Sequence, residues 1–423
     1  MDIFSRLPIT TILQCKCVCK TWFNIISDPY FTKLHHARAP VSLILQASGN
    51  FFSRWYVLAL EGWDKHDSFV PLKQLPREIG HLGEALQFET WCNGLLCISA
   101  YCPKNSVTNY VLNVITGEYM SLPKPEPKSD GFKRTIRGFG FSQATNRYKV
   151  IQEIYEDRRP LTTHQHHHTS QLEVYTLGTE NWRNIGDLPS PFAKPDYQKN
   201  SCAFLNGALH WLVQPDNNST FIFHFDVENE QLKPFPGPPV QDFSQVEKMN
   251  LGVSGGFLYL SENLLTSCSV EIWVMKDYGI KKSWTKEFVI PDTQWYFAPV
   301  QILNYGLKTK MEAIEGSKLV YVLHDFSLYA YNARGYNEHQ LGFRGISTSY
   351  SMYPFVPSLV SLKEAVIGES SQELIKTIQS LADENQSSGL YSSIISMTNK
   401  IESAFIRLAS LGAKPGVKLK PNP

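Results

Sequence analysis

The chain has 423 residues, 43% of them hydrophobic, enough to bury one large core or two smaller ones. Forty Lys and Arg against thirty-nine Asp and Glu leave a formal charge of +1, which argues against nucleic acid as the main partner because phosphate binding needs a concentrated basic surface. No apolar run is long enough for a membrane span and no secretory signal pattern opens the chain, so no membrane partner is expected, and the eight cysteines are expected to stay reduced in cytoplasm or nucleus.

The first forty residues read as helical. Ile12, Cys15, Val18, Cys19, Trp22 and Ile26 recur at i, i+3, i+4 and i+7, which gathers them on one stripe. Asp28 before Pro29 predicts an N-cap followed by Pro at the first helical position, opening a short helix that carries Phe31, Leu34 and Ala37. Cys15, Cys17 and Cys19 alternate within this segment. On a helix only Cys15 and Cys19 would share a face, and no second pair completes a tetrahedral zinc set. Small buried hydrophobes are expected instead of metal ligands.

From about Val41 to Leu362 the pattern changes to short apolar runs separated by Gly, Asn, Asp and Pro clusters, the mark of many short antiparallel strands. CNGLLCIS (92–99), LNGALHWL (205–212) and VSGGFLYLS (253–261) each place a turn dipeptide before a strand. Asn-Gly and Gly-Gly supply the positive φ angles of tight hairpin turns. Other lines read strand, polar turn, strand, and Tyr119, Trp182, Leu232 and Trp284 occupy one position in their second strands, 63, 50 and 52 residues apart. A period near fifty over about 320 residues predicts about six four-stranded units, a kelch-like β-propeller. A β-sandwich is the alternative, but it seldom yields so many strand pairs at a repeating interval. The irregular spacing of 63 is ascribed to an insertion around LTTHQHHHTS.

Cys92 and Cys97 are an odd number of residues apart, so they are expected on opposite faces of a strand. His164, His166, His167 and His168 sit in a polar loop, solvated or loosely metal-binding, with solvation expected because such a loop lacks orienting partners. The chain holds no GxxxxGK[ST], GxSxG or HExxH, and GVSGG (252–256) precedes a strand and not a helix. No catalytic residue, cofactor or metal is therefore expected. A propeller enzyme with a metal in its channel is the minor alternative. After Leu362, residues 371–384 and 391–411 are helix-like, with Ile394, Met397, Ile401, Phe405 and Leu408 on one stripe that packs either on this chain or on a partner. The reading is thus α+β multidomain: a helical head at 1–40, an all-β body at 41–362 and a helical or partly disordered tail at 363–423.

The head, IFSRLPITTILQCKCVCKTWFNIISDPYFTKLH, resembles the F-box of the large plant F-box families, in its Ile-Phe-Ser-Arg-Leu-Pro start, Cys-Val-Cys-Lys-x-Trp centre and Ile-Ser-Asp-Pro-x-Phe finish. WCNGLLCIS, the Asn-x-x-Thr-Gly-Glu line at 113–118, RGFGFSQATNRYKV, LNGALHWL and VEIWVMKDYGIKKSWTKEF resemble, in order, the F-box-associated domain of those proteins. The resemblance implies the substrate receptor of a cullin-based SCF ubiquitin ligase. Its head would dock on a Skp adaptor, and through it on cullin, while its propeller holds an unknown protein target. Ile3, Phe4, Leu7, Pro8, Leu13, Val18, Cys19 and Trp22 match F-box positions, and the resemblance divides them between the head's own core and the adaptor. The family's first helix usually begins about eight to ten residues before the position matching Met1-Asp2, more than two turns of a helix. That start predicts weaker or absent docking and supports a second reading, a protein-binding scaffold without the ligase link.

Overall fold

The computed structural model describes residues 2–39, 42–48, 53–59, 69–71, 85–101, 107–125, 132–156, 170–189, 202–213, 222–239, 246–264, 269–290, 319–324, 327–332, 335–341 and 350–367. The four clustered histidines and the helix-like stretches after residue 370 lie outside these. A 3-10 turn at Phe4–Arg6 precedes helices α1 (Ile9–Cys15), α2 (Lys20–Ser27) and α3 (Pro29–His36). Asp28 caps α3 as expected, its carboxylate accepting from the Tyr30 amide at 2.7 Å with Pro29 in the first turn. The single stripe from Ile12 to Ile26 is corrected. Its residues belong to two helices, because the chain turns at 16–18 and Cys19 is extended (φ −158°, ψ 165°) as the residue preceding α2. The change of direction leaves Cys15 half-buried and turns Cys17, Val18 and Cys19 to solvent, so two of the three cysteines are not core filling. Ala37, just past α3, is also exposed.

Among the described residues, six antiparallel sheets follow. Blade 2 is Ala85–Cys92, Leu95–Tyr101, Val107–Leu112 and Tyr119–Ser121; blade 3 is Phe132–Ser142, Arg147–Glu156, Ser170–Thr176 and Arg183–Asp187. Blade 4 takes Cys202–Leu205, Ala208–Leu212, Ile222–Asp226 and Gln231–Phe235, and blade 5 takes Val246–Ser254, Phe257–Leu264, Ser269–Met275 and Trp284–Ile290. Blade 6 pairs Leu319–His324, Ser327–Asn332 and Gly335–Leu341. Blade 1 is composite: Tyr350–Phe355, from the far end of the chain, pairs with Ser42–Ser48, which continues to Ser53–Ala59 and Phe69–Pro71. The closing strand takes the first-strand place and seals the ring. First strands of blades 2 to 5 contact one another in succession, and with six sheets in chain order the fold is a six-bladed β-propeller.

The repeat has a physical reason in each blade. Asn93 and Gly94 (φ +47° and +80°) and Asn206 and Gly207 (+51° and +74°) make the tight turns from first to second strand. Tyr119, Trp182, Leu232 and Trp284 all stand at or beside the start of a fourth strand. The two tryptophans that follow a proline-ended blade reach back across the seam: Trp182 Nε1 donates to the Pro123 carbonyl at 2.8 Å and Trp284 Nε1 to that of Pro236 at 2.9 Å. Apolar packing lies in these seams, Ile136, Phe139 and Val150 of blade 3 against Cys92, Leu95 and Cys97 of blade 2. Cys92 and Cys97 thus share one core, correcting the expectation of opposite faces. The Asn93–Gly94 turn separates them, and across the hairpin Cys92 pairs with Leu95 and Thr90 with Cys97, which returns both thiols to one side.

At the seam of blades 4 and 5, His210 is fully buried; its Nδ1 faces the Ala203 carbonyl at 3.1 Å, so its Nε2 accepts from the Tyr278 hydroxyl at 2.8 Å. Burial lowers its pKa to about 4. Protonation then favours the unfolded chain, and this seam loses stability as pH falls from 6.5 toward 4. The His210 ring resonances should therefore stay those of a neutral imidazole down to pH 5 and shift only with a midpoint near 4. Trp284→Phe, which removes the N–H but keeps an aromatic ring, should lower stability to urea by about 1–3 kcal/mol.

Candidate functional site

The helical head closes a small core of its own. Ile12, Ile26 and Phe31 are fully buried, and Phe4, Leu7, Ile9, Leu13, Cys15 and Trp22 pack around them. Phe4 meets Trp22 edge to face, with centroids 4.9 Å apart. The buried His35 ring ties α3 to the turn before α1, its Nε2 3.1 Å from the Leu7 carbonyl, and desolvation lowers its pKa. A polar clasp closes the outer edge: Arg38 donates to Asp2 at 2.7 Å, and Arg6 lies 3.0 Å from the same carboxylate. Hydrogen bonds from Arg38 and Arg6 hold the Asp2 carboxyl below the usual carboxylate range.

Two propeller residues, Leu359 and Ile115, complete this core from one side. The opposite outcome holds elsewhere on the head. Ile3 is 78% exposed, Val18 63% and Tyr30 66%, and Phe23 lies at the surface under Lys16, whose Nζ is 5.0 Å from the ring centre. The eight matched positions therefore divide. Phe4, Leu7, Leu13 and Trp22 serve the internal core, whereas Ile3, Pro8, Val18 and Cys19 face outward. Phe23 and Tyr30 join the outward group and were not singled out by periodicity. Their signal was present nonetheless, since each is an aromatic residue off its helix's apolar stripe.

On the propeller, buried charges form pairs within and between blades. Arg137 binds Glu153, and Arg134 lies 3.5 Å from Glu173, which also accepts from Gln152 at 2.6 Å. Lys149 and Arg183 of blade 3 converge on Glu230 of blade 4 at 2.9 and 2.7 Å. Among the described residues, no three His, Cys, Asp or Glu side chains converge as a metal site, and no helix is long and apolar enough to cross a membrane. The loops 157–170 and 291–300 are candidate contact surfaces on sequence grounds, because loops carry recognition on a rigid scaffold, and all of their residues but Ser170 lie outside the described ones.

Residues 53–362 match the F-box associated beta propeller domain. The chain belongs to this family. Residues 1–35 match the F-box-like family, so the head and the propeller of this F-box-associated protein are each recognised separately. Among its relatives in Arabidopsis thaliana are F-box protein At3g07870, 27% identical over 68% of this chain and 70% of that one, and F-box/kelch-repeat protein At3g23880, 26% identical over 75% and 85%. F-box protein CPR1, from the same plant, is 24% identical over 85% of this chain and 87% of its own. A six-bladed fungal lectin from Aleuria aurantia aligns with 76% of this chain and 97% of its own, at 12% identity and a TM-score of 0.33. The blade count rests on the strand pairing of this chain and not on that likeness.

The division of the head predicts two kinds of variant. Phe31→Ala should cost about 3–5 kcal/mol and melt α1 to α3. Val18→Ala and Ile3→Ala should change stability by less than about 0.5 kcal/mol. Thermal unfolding followed by hydrogen exchange over residues 9–36 separates the two.

Proposed function

We propose that this protein is the substrate-recognition subunit of an SCF-type, cullin-based ubiquitin ligase. The head docks on a Skp adaptor and through it reaches cullin, and the propeller holds the protein to be modified. The protein contributes binding and geometry, not chemistry, and works in cytoplasm or nucleus. One observation carries the reading: the head's core is already filled, with Leu359 and Ile115 of the propeller completing it, yet the head presents Ile3, Val18 and Tyr30 to solvent. Burying an exposed aliphatic side chain of this size against a partner is worth about 1.5–3 kcal/mol. The match of the head to F-box-like sequences and its fusion to an F-box-associated propeller support a Skp adaptor as the partner. Adaptor contacts are assigned to Ile3, Pro8, Val18 and Cys19, joined by Phe23 and Tyr30, with Phe4, Leu7, Leu13 and Trp22 supporting them from beneath.

Co-expression with a Skp adaptor and measurement of the complex tests this. The wild-type chain should co-purify with the adaptor, and Val18→Asp or Ile3→Asp should weaken binding about tenfold or more while leaving unfolding unchanged, since each places a charge where an apolar contact is lost. A chain that captures a protein partner but no adaptor would establish the scaffold reading in its place.

A further inference from the structure

Residues 356–361 run directly from the ring-closing strand into helix α4 (Leu362–Ile367), and this short strap touches both halves of the molecule. On the propeller side it is held by the Asn-x-x-Thr-Gly-Glu turn of blade 2. Asn113 is fully buried, and its side-chain amide donates to the carbonyls of Ser358 (3.0 Å) and Val360 (2.8 Å), while its oxygen accepts from the amides of Ile115 and Thr116. Glu118 accepts from the Ser361 hydroxyl at 3.1 Å and from the Leu362 amide at 2.8 Å, so a carboxylate sits at the start of α4. Beyond it Leu362 and Ala365 enter the seam between blades 2 and 3, and Arg147 donates to the Val366 carbonyl. Two turn glycines keep room for this course: a Cβ on Gly94 would overlap Ser358, and one on Gly178 would overlap the Val366 carbonyl.

On the head side the same strap supplies Leu359 to the core of Ile12, Ile26 and Phe31, and the Pro357 carbonyl lies 3.3 Å from His36 Nδ1. Asn113 grips the carbonyls on either side of Leu359. The side chain between them is buried in the core of the head. We infer that the strap is a joint that locks the head in one orientation on the propeller, and that it does so only once the ring has closed. Tyr350–Phe355 must pair with Ser42–Ser48 before Leu359 stands where the head needs it. The head, made first, thus receives part of its core from the segment that follows the ring-closing strand. Leu359, Asn113 and Glu118 are positioning residues in this scheme. The inference does not depend on the ligase reading, because it concerns the free chain.

Hydrogen exchange on the full chain tests it, comparing Leu359→Ala, Gly94→Ala and Gly207→Ala. Gly94 and Gly207 hold the same place in two Asn-Gly turns with similar φ, but a Cβ at Gly207 meets nothing within 4 Å. Both glycine variants bear the same backbone strain, and only the first pushes on the strap. Leu359→Ala and Gly94→Ala should each speed exchange over α1 to α3 by about tenfold with the strands of blades 3 to 5 still protected, and Gly207→Ala should not. Phe31→Ala should in turn speed exchange over 356–361, since coupling is reciprocal. Unchanged exchange in α1 to α3 for Leu359→Ala overturns the inference. So does an equal effect of Gly94→Ala and Gly207→Ala.

Discussion

The whole architecture depends on one antiparallel pairing, Tyr350–Phe355 against Ser42–Ser48. A propeller blade buries its faces only against neighbouring blades, so an open ring would leave two blade faces to water. The closing contact joins residues some three hundred apart in sequence, and the chain-entropy cost of bringing them together grows only slowly with that distance. Phe355 then packs with Ile44 and with Phe88, Leu96 and Ile98 of blade 2, which turns the seam between blades 1 and 2 into ordinary core.

Between these seams the molecule uses two devices repeatedly. Apolar side chains on alternating strand positions fill the gap between blades, and indole N–H groups take up carbonyls at the edge of the preceding blade. Buried charges are handled by pairing, as in Arg137 with Glu153 and in the meeting of Lys149 and Arg183 on Glu230. Unpaired, such charges would be costly to bury. They accordingly read as parts of the scaffold.

The head obeys a different economy. Three helices of seven or eight residues are too short to be stable alone, so their order comes from packing. Ile12, Ile26 and Phe31 provide that packing internally with Phe4, Leu7, Leu13 and Trp22 around them, Leu359 and Ile115 add to it from the propeller, and Ile3, Val18, Phe23 and Tyr30 are left facing outward. An exposed apolar surface and an anchored surface therefore occupy the same small unit, on opposite outcomes of burial.

Local physics made much of this legible in the amino-acid sequence alone. The Asp28-Pro29 cap, the Asn-Gly and Gly-Gly hairpin turns, the fourth-strand aromatic positions and the six-unit repeat all follow from φ preferences and side-chain period, which act over a few residues. Four other features were decided only by the tertiary structure. The chain turns at 16–18, Cys92 and Cys97 share one face, Phe4 and Trp22 go inward while Ile3 and Val18 go outward, and Leu359 fills the head. Each of these depends on which surface a side chain meets after the chain has folded back on itself. For the head that surface includes a residue more than three hundred positions away, and no local pattern can carry that information.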